Sequence, residues 1–188
     1  MTIIEDLQGS AFADTLLGDQ NSNQVWGEVG ADSLRGFDGY DALFGGIGYD
    51  TIFGDLGADL IDGGDGYDSL RGGDGNDTIL GGLHNDTIRG DEHDDLITGD
   101  EGNDELYGGT GADAFWFRGT FGADTIVDFD SGDVIDLSEV TTIVSYNDLV
   151  QNHAANTGTD VLITDGSGNT IRITGITVSE LTVDNFYF

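Results

Sequence analysis

Residues 63–80 read GGDGYDSLRGGDGNDTIL, which is two nonapeptides placed end to end. Both nonapeptides begin with two glycines, carry aspartate at the sixth position and have an aliphatic residue at the eighth. Glycine at fixed offsets favours tight turns with positive φ or close backbone approach. A single aliphatic residue between variable neighbours favours a short strand with one side chain pointing inward. Each nonapeptide therefore predicts a turn of six residues followed by a strand of three.

The same pattern continues in both directions from this stretch. Twelve blocks of nine run in phase from Gly9 to Trp116, with glycine first and an apolar residue eighth in every block. Aspartate is sixth in eleven of the twelve blocks, and Asn23 is the exception. Two blocks would close one coil with a strand on either side. The sequence thus predicts an all-β fold, a parallel β-roll (β-solenoid) with two nonapeptides per coil.

The composition is strongly acidic. The chain has 37 acidic and 5 basic side chains, which gives a formal net charge of −32. So many carboxylates repel one another in a compact state unless a cation neutralises them, and carboxylate oxygens select hard cations such as calcium. The charge argues against nucleic acid as a partner, and the absence of cysteine excludes disulfides and thiolate metal sites. No stretch reaches the ~18 apolar residues of a membrane span.

The sixth-position residues are predicted to form two columns, because turns on the same side recur with every second nonapeptide. Adjacent strands lie ~4.8 Å apart, so neighbouring carboxylates of one column can share one ion. Ion-free Asx-Gly turns are the alternative, but isolated turns have no reason to repeat in register. The first column contains Asp14, Asp32, Asp50, Asp68, Asp86 and Asp104, and the second contains Asn23, Asp41, Asp59, Asp77, Asp95 and Asp113.

These blocks resemble the GGxGxDxUx repeat of the RTX, or haemolysin-type, calcium-binding family, and the resemblance covers residues 9–116. It implies a β-roll that binds several Ca²⁺ ions and folds on binding them. It also implies backbone carbonyl ligands from positions two and four of one turn and positions one and three of the next. For an ion between Asp50 and Asp68, these carbonyls would belong to Gly46 and Gly48, then to Gly63 and Asp65.

The sites are not expected to be equivalent. Those with glycine at position four of both turns should be best, namely Asp32–Asp50, Asp50–Asp68, Asp41–Asp59 and Asp59–Asp77. His84 and His93 replace this glycine, so the sites near Asp86 and Asp95 are weaker predictions. The two histidines should lie on opposite edges of the roll, and we interpret them as exposed turn residues rather than as ligands of one shared ion. Asn23 should end its column.

The phase breaks once, at a two-residue insertion formed by Phe117 and Arg118. Beyond it, Asp124 and Asp133 occupy sixth positions again, each displaced from the unbroken period by the length of the insertion. The same excess in both columns predicts that the roll continues past a local bulge. The alternative is a solenoid that stops at Trp116.

The segment after residue 138 has a different pattern. A short helix is expected at residues 145–155 with Ser145 as N-cap, and a hairpin is expected from residues 160–164 and 170–174. Together they would cover the open end of the roll. The predicted domains are a lead-in at 1–8, the calcium-binding roll at 9–137, and a C-terminal cap with secretion signal at 138–188.

The chain ends in SELTVDNFYF, which resembles the tail of type I secretion substrates. The resemblance implies export by an ABC transporter complex and an extracellular or cell-surface location. The N-terminal residues MTIIEDLQGS lack the basic and apolar regions of a secretory signal peptide, in agreement with that route. A final edge strand that packs Phe186 and Phe188 is an alternative interpretation of the tail, and both can hold together.

No catalytic motif is visible, because HExxH, GxSxG and cysteine are all missing from the sequence. We therefore expect the chain not to be an enzyme. Three functions remain open at this point: a secreted, non-enzymatic calcium-binding protein, a C-terminal export and folding module of a larger secreted enzyme or toxin, and an extracellular adhesion or matrix protein.

Overall fold

Two sheets run along the molecule, and the chain alternates between them at every turn from β1 to β15. The computed structural model describes residues 6–188, so residues 1–5 of the expected lead-in lie outside the described part. Sheet A has the order β1 (Asp6–Gln8), β3 (Gln24–Val29), β5 (Ala42–Gly48), β7 (Leu60–Gly66), β9 (Thr78–Leu83), β11 (Leu96–Glu101), β13 (Ala114–Trp116), β15 (Val134–Asp136) and β19 (Phe186–Tyr187). Sheet B has the order β2 (Thr15–Leu17), β4 (Ser33–Asp38), β6 (Thr51–Leu56), β8 (Ser69–Asp74), β10 (Thr87–Glu92), β12 (Glu105–Thr110), β14 (Ala123–Ile126), β18 (Thr170–Ile173), β17 (Asp160–Thr164) and β16 (Ala154–Thr157).

The strands of the repeat pair in parallel with a constant register. Leu34 lies opposite Ile52 in sheet B, and Ile52 lies opposite Leu70, so each coil contains two nonapeptides. The predicted parallel β-roll is confirmed. Every position of the nonapeptide forms a column along the molecule, because this register is kept from coil to coil.

Most strands of the roll are longer than the three residues predicted, and that expectation was wrong. Strand β6, for example, has six residues and continues through the first three positions of the next block. Pairing continues there because Asp55 still lies opposite Gly73, although its φ is 76°. Position two has positive φ in neighbouring blocks as well, so the same kink is repeated in register and the ladder survives it.

The core of the roll is narrow, since each strand contributes one inward aliphatic side chain. Leu43, Ile61 and Ile79 of sheet A are completely buried in this way. At the C-terminal end the core widens into an aromatic group formed by Phe115, Phe117, Phe121 and Phe129. The roll is thus thinly packed along its length and more fully packed at one end.

The roll continues past the insertion, as the sequence predicted. Strand β14 pairs in parallel with β12, and β15 pairs with β13, each offset from the repeat register by the two inserted residues. Of these two residues, Phe117 is buried in the aromatic group. Arg118 donates two hydrogen bonds to Asp100 and lies over the ring of Trp116 at 4.4 Å.

The C-terminal segment extends both sheets instead of forming a separate layer. The predicted hairpin is confirmed as β17 and β18, and β18 pairs in parallel with β14 of the roll. Strand β16 adds a third, antiparallel strand to this hairpin. The tail strand β19 pairs in parallel with β15, and its Phe186 is buried.

The predicted helix is shorter than expected. Ser145 accepts a hydrogen bond from the backbone N–H of Asp148 and caps α1 (Tyr146–Asp148), which a π-helical turn (Leu149–His153) continues. Residues 154 and 155 belong to β16, because their backbone pairs with β17. Single 3₁₀ turns occur at Val178–Glu180 and Val183–Asn185. Within residues 6–188, no helix is long and apolar enough to cross a membrane.

Candidate calcium sites

From Asp32 onward, each column aspartate uses one carboxylate oxygen to join two coils. Oδ1 of Asp50 accepts the backbone N–H of Asp32 at 2.7 Å, and Oδ1 of Asp68 accepts that of Asp50 at 2.7 Å. The pattern persists beyond the insertion, where Asp124 accepts from the backbone of Asp104 at 2.9 Å. Asp133 likewise accepts from Asp113 at 3.0 Å. Both columns therefore continue past the insertion, as predicted.

The second carboxylate oxygen has no hydrogen-bond partner in most of these residues. The side chains are almost completely buried; Asp50, for example, is 1% exposed. An ionised oxygen buried without a donor is strongly unfavourable, so such an atom indicates a place for a cation or a proton. The aspartates with a buried, unpartnered Oδ2 are Asp32, Asp41, Asp50, Asp59, Asp68, Asp77, Asp86, Asp95, Asp104, Asp113 and Asp124.

The unpartnered oxygens face carbonyl groups of the next coil. A Cβ atom built on Gly45 would lie 2.6 Å from Oδ2 of Asp50 and 2.5 Å from the carbonyl oxygen of Gly63. A Cβ atom on Gly63 would meet Oδ2 of Asp68 at 2.7 Å and the Gly81 carbonyl at 2.6 Å. Position one must be glycine because two oxygens of successive coils converge on the place where a side chain would begin.

The other carbonyls implied by the family resemblance also point between coils. The Gly46 carbonyl is directed at Gly64 and the Gly48 carbonyl at Gly66, so both face the next turn. At position three, the Ile47 carbonyl faces the preceding turn and accepts the backbone N–H of Gly30 at 2.8 Å. Asp65 occupies the same place one coil later. Positions two and four thus point forward and positions one and three point backward, as the implied ligand set requires.

Burial raises the pKa of the column carboxyl groups, although the hydrogen bond from the preceding aspartate acts in the opposite direction. The pKa of Asp59 rises to about 6, that of Asp77 to about 7 and that of Asp86 to about 8. Burial raises the pKa of Asp124, next to Asp104, to about 9. Without a cation, these carboxyl groups cannot all be ionised in the folded chain near neutral pH.

Three of the four column ends are built differently. Oδ2 of Asp14 accepts hydrogen bonds from the backbone N–H and the hydroxyl of Ser10, at 2.6 and 2.8 Å. Oδ1 of Asn23 accepts the backbone N–H of Asp19. Oδ2 of Asp133 accepts the backbone N–H of Asp130 at 2.8 Å. Local donors therefore satisfy a side-chain oxygen at these three ends, whereas the interior oxygens, and that of Asp124 at the fourth end, are left for a cation.

The two histidines at position four leave the inward side of their turns unchanged. Their carbonyls point at Gly102 and Gly111 of the next coil, as glycine carbonyls do elsewhere. Asp86 and Asp95 keep their unpartnered oxygens. The side chains of His84 and His93 are 52% and 58% exposed, as expected for turn residues. The inward-facing carbonyl and carboxylate oxygens of these two turns are therefore directed as they are in the turns that have glycine at position four.

Sequence reasoning missed two cap residues that hydrogen-bond to the backbone of the last turns of the roll. Asn169 accepts the backbone N–H of Gly122 at 3.1 Å and donates to the carbonyl of Gly119 at 3.3 Å. Asn185 donates to the carbonyl of Asp133 at 3.0 Å. Neither asparagine lies in a repeat, so only the pairing of β18 and β19 with the roll reveals this role.

The donor set fits calcium. Every ligand candidate is a carboxylate or carbonyl oxygen, and up to six such oxygens face the space between two successive turns, as calcium's preference for 6–8 oxygen ligands requires. The buried, unpartnered Oδ2 atoms supply the negative charge. Fold and site together define a calcium-binding β-roll.

The family comparison agrees with that class. The profile of the RTX calcium-binding nonapeptide repeat (four copies) matches residues 4–34, 17–52, 35–70, 67–92 and 81–115. These matches extend over more than half of the chain, which therefore belongs to this family. A search of curated proteins gives no match.

Two solved structures are among those that the chain matches. The extracellular lipase of Serratia marcescens is 14% identical, with a TM-score of 0.42, and the alignment covers 100% of this chain and 40% of the lipase. A subunit of the mannuronan C5-epimerase of Azotobacter vinelandii is 26% identical, with a TM-score of 0.28, and the alignment covers 96% of this chain and 80% of that subunit. The chain thus spans less than half the length of the lipase.

Proposed function

We propose that this chain is a secreted, non-enzymatic calcium-binding protein that leaves the cell unfolded by type I export and folds on calcium outside. The observation that supports it best is the set of eleven buried aspartates with an unpartnered oxygen. Calcium, when bound, supplies the positive charge that these oxygens lack. The carboxylates are buried and held in the columns by backbone hydrogen bonds, so a substrate cannot reach them.

The acidic repeat suits export in an unfolded state. With 37 acidic and 5 basic residues, the chain resists collapse wherever calcium is scarce, as it is inside cells. Because each carbonyl set is completed only by the next coil, metal binding and folding are coupled. The same properties serve a stand-alone protein and a module of a longer exported chain.

Folding buries part of the tail, which is fully accessible to a transporter only while the chain is unfolded. In the folded chain, β19 pairs with β15, and the hydroxyl of Tyr146 donates to the carbonyl of Leu181 at 2.6 Å. Leu181 and Phe186 are buried. Folding outside the cell would sequester these residues, which disfavours movement back through the channel.

Deletion of residues 179–188 tests this proposal. We expect export through a type I apparatus to be abolished and calcium-induced folding to be weakened, since β15 loses its partner. Tyr146→Phe is the matched control, because it loosens the tail contact and leaves the tail sequence intact, so it should be exported normally. If the truncated chain were exported at normal levels, the tail would serve only as a cap.

A further inference from the structure

His93 lies next to two carboxylates on the outer surface of the roll. Its Nδ1 is 3.1 Å from Oδ1 of Asp74. One ligand atom each from Asp74, Glu92 and His93 can be chosen so that all three lie within 4.8 Å of one another. Within residues 6–188, no other group of three such side chains meets this spacing.

The register of sheet B creates this group. Glu92 of β10 lies directly opposite Asp74 of β8, so the two acidic side chains stand one above the other at position three of successive coils. His93 follows Glu92 at position four, where its backbone has a φ of 77°. The three ligands come from two different coils and meet only when these coils are stacked.

The chemistry of this group differs from that of the calcium columns. An imidazole nitrogen is a ligand for zinc, nickel or copper, whereas the calcium columns offer only oxygen. Two carboxylates balance the charge of a divalent ion, and one histidine with two carboxylates leaves further coordination positions open to water. All three side chains are exposed, so an ion can enter from solvent.

The chain contains a natural comparison at His84. This residue also occupies position four, with a φ of 78°, and its Nδ1 is 3.1 Å from Oδ1 of Asp65. Position three of its block is Leu83 where the block of His93 has Glu92. The His84 turn therefore has one imidazole and one carboxylate, and it lacks the third ligand.

We propose that Asp74, Glu92 and His93 form a binding site for a divalent transition metal of the zinc class, separate from the calcium columns. The backbone of the same turn faces inward toward a calcium column, and its side chains face outward. Because its ligands are brought together by coil stacking, the site exists only in the folded roll. This dependence on calcium rests on the proposed function, whereas metal binding by the folded chain does not.

Zinc titration of the calcium-saturated full chain tests the site, by calorimetry with histidine ring NMR at neutral pH. We expect one bound Zn²⁺, a shift of the His93 ring signals and unchanged His84 signals. His93→Ala should abolish this binding, and His84→Ala should leave it intact. Leu83→Glu should create a second site at His84. Equal zinc binding by wild type and His93→Ala would overturn the proposal, as would equal losses in the two alanine variants.

The calcium dependence is measured separately in buffer passed over a chelating resin, without soluble chelator. We expect the His93 shift to disappear there, and we expect saturating Zn²⁺ to lower the calcium concentration needed for folding. Zinc binding at His93 by a chain that circular dichroism shows to be unfolded without calcium would overturn the stacked-coil origin of the site. Zinc binding by a chain that stays folded without calcium would contradict the proposed calcium-dependent folding and leave the site intact. Zinc binding lost in saturating calcium as well would overturn the site itself and leave the calcium function untouched.

Discussion

Buried aspartates occur in both the roll and the C-terminal cap, and the two regions treat them in opposite ways. Asp50 of the roll is 1% exposed and keeps one oxygen without a partner. Asp165 of the cap is 5% exposed, and it accepts hydrogen bonds from the backbone of Ser167, Gly168 and Asn169 and from two of their side chains. Protein donors alone satisfy the buried carboxylate of the cap, whereas the buried carboxylates of the roll need a cation or a proton.

The pKa values follow the same division. Burial raises the pKa of Asp68 in the roll to about 6. Burial also acts to raise the pKa of Asp165, but its hydrogen bonds outweigh that effect and lower it. Hydrogen bonds thus stabilise the ionised carboxylate in the cap, whereas calcium would provide that stabilisation in the roll.

Calcium removal should produce the largest effect. In calcium-free buffer at neutral pH, we expect the far-UV circular dichroism signal of the β-roll to be lost, because unpartnered carboxylates cannot remain ionised and buried. The NMR signals of Tyr146 and Phe186 should change at the same calcium concentration, since β18 and β19 depend on β14 and β15. A roll spectrum unchanged by calcium removal would contradict the assignment, and cap signals that persisted alone would show that the cap folds independently.

Substitutions of individual aspartates should produce a smaller, graded effect. Asp50→Ala should raise the calcium midpoint of folding severalfold and lower the number of ions bound, because Asp50 faces sites on both sides. Asp14→Ala should have less effect, since Ser10 already satisfies its oxygen.

Asp165→Ala is the matched control in the cap. It should lower the free energy of unfolding by about 1–3 kcal/mol, because buried donors lose their acceptor. The number of bound ions, counted by native mass spectrometry, should stay unchanged. Equal calcium midpoints for Asp50→Ala and Asp14→Ala would refute the shared-ligand arrangement.

The pH dependence should be the smallest effect, with opposite signs in the two regions. The ion-free folded roll binds more protons than the unfolded chain, since its carboxyl pKa values are raised from 3.8 to as high as about 9. Acid therefore stabilises the ion-free roll, and its β signal should increase as pH falls from about 8 to about 5 without calcium.

Asp165 should behave in the reverse manner. Its folded pKa lies below 3.8, so its stabilising contribution is present at neutral pH and is lost as pH falls below about 4.

In saturating calcium, acid should weaken calcium binding by the roll, because protons compete for the same oxygens. A calcium-free β signal that decreased over the same acidification would contradict the raised pKa values of the columns.

The repeat made much of the fold predictable, although not its finer geometry. The stacking of Asp50 on Asp68 and of Asp104 on Asp124 followed from spacing alone. The strand lengths did not, because pairing through a position with positive φ depends on the neighbouring coil having the same kink. The helix end at residue 153 was missed because pairing of β16 with β17 overrides the local helical pattern.

The sequence by itself determined the coil of two nonapeptides, the two aspartate columns and their continuation past Phe117 and Arg118. A strict period in a parallel stack turns each repeat position into a column, so spacing is sufficient. Only the tertiary structure decided that Asn169 and Asn185 bind the backbone of the last turns of the roll and that Asp74, Glu92 and His93 meet. These contacts depend on which strands pair outside the repeat and on side-chain directions between coils, and neither is encoded by a local period.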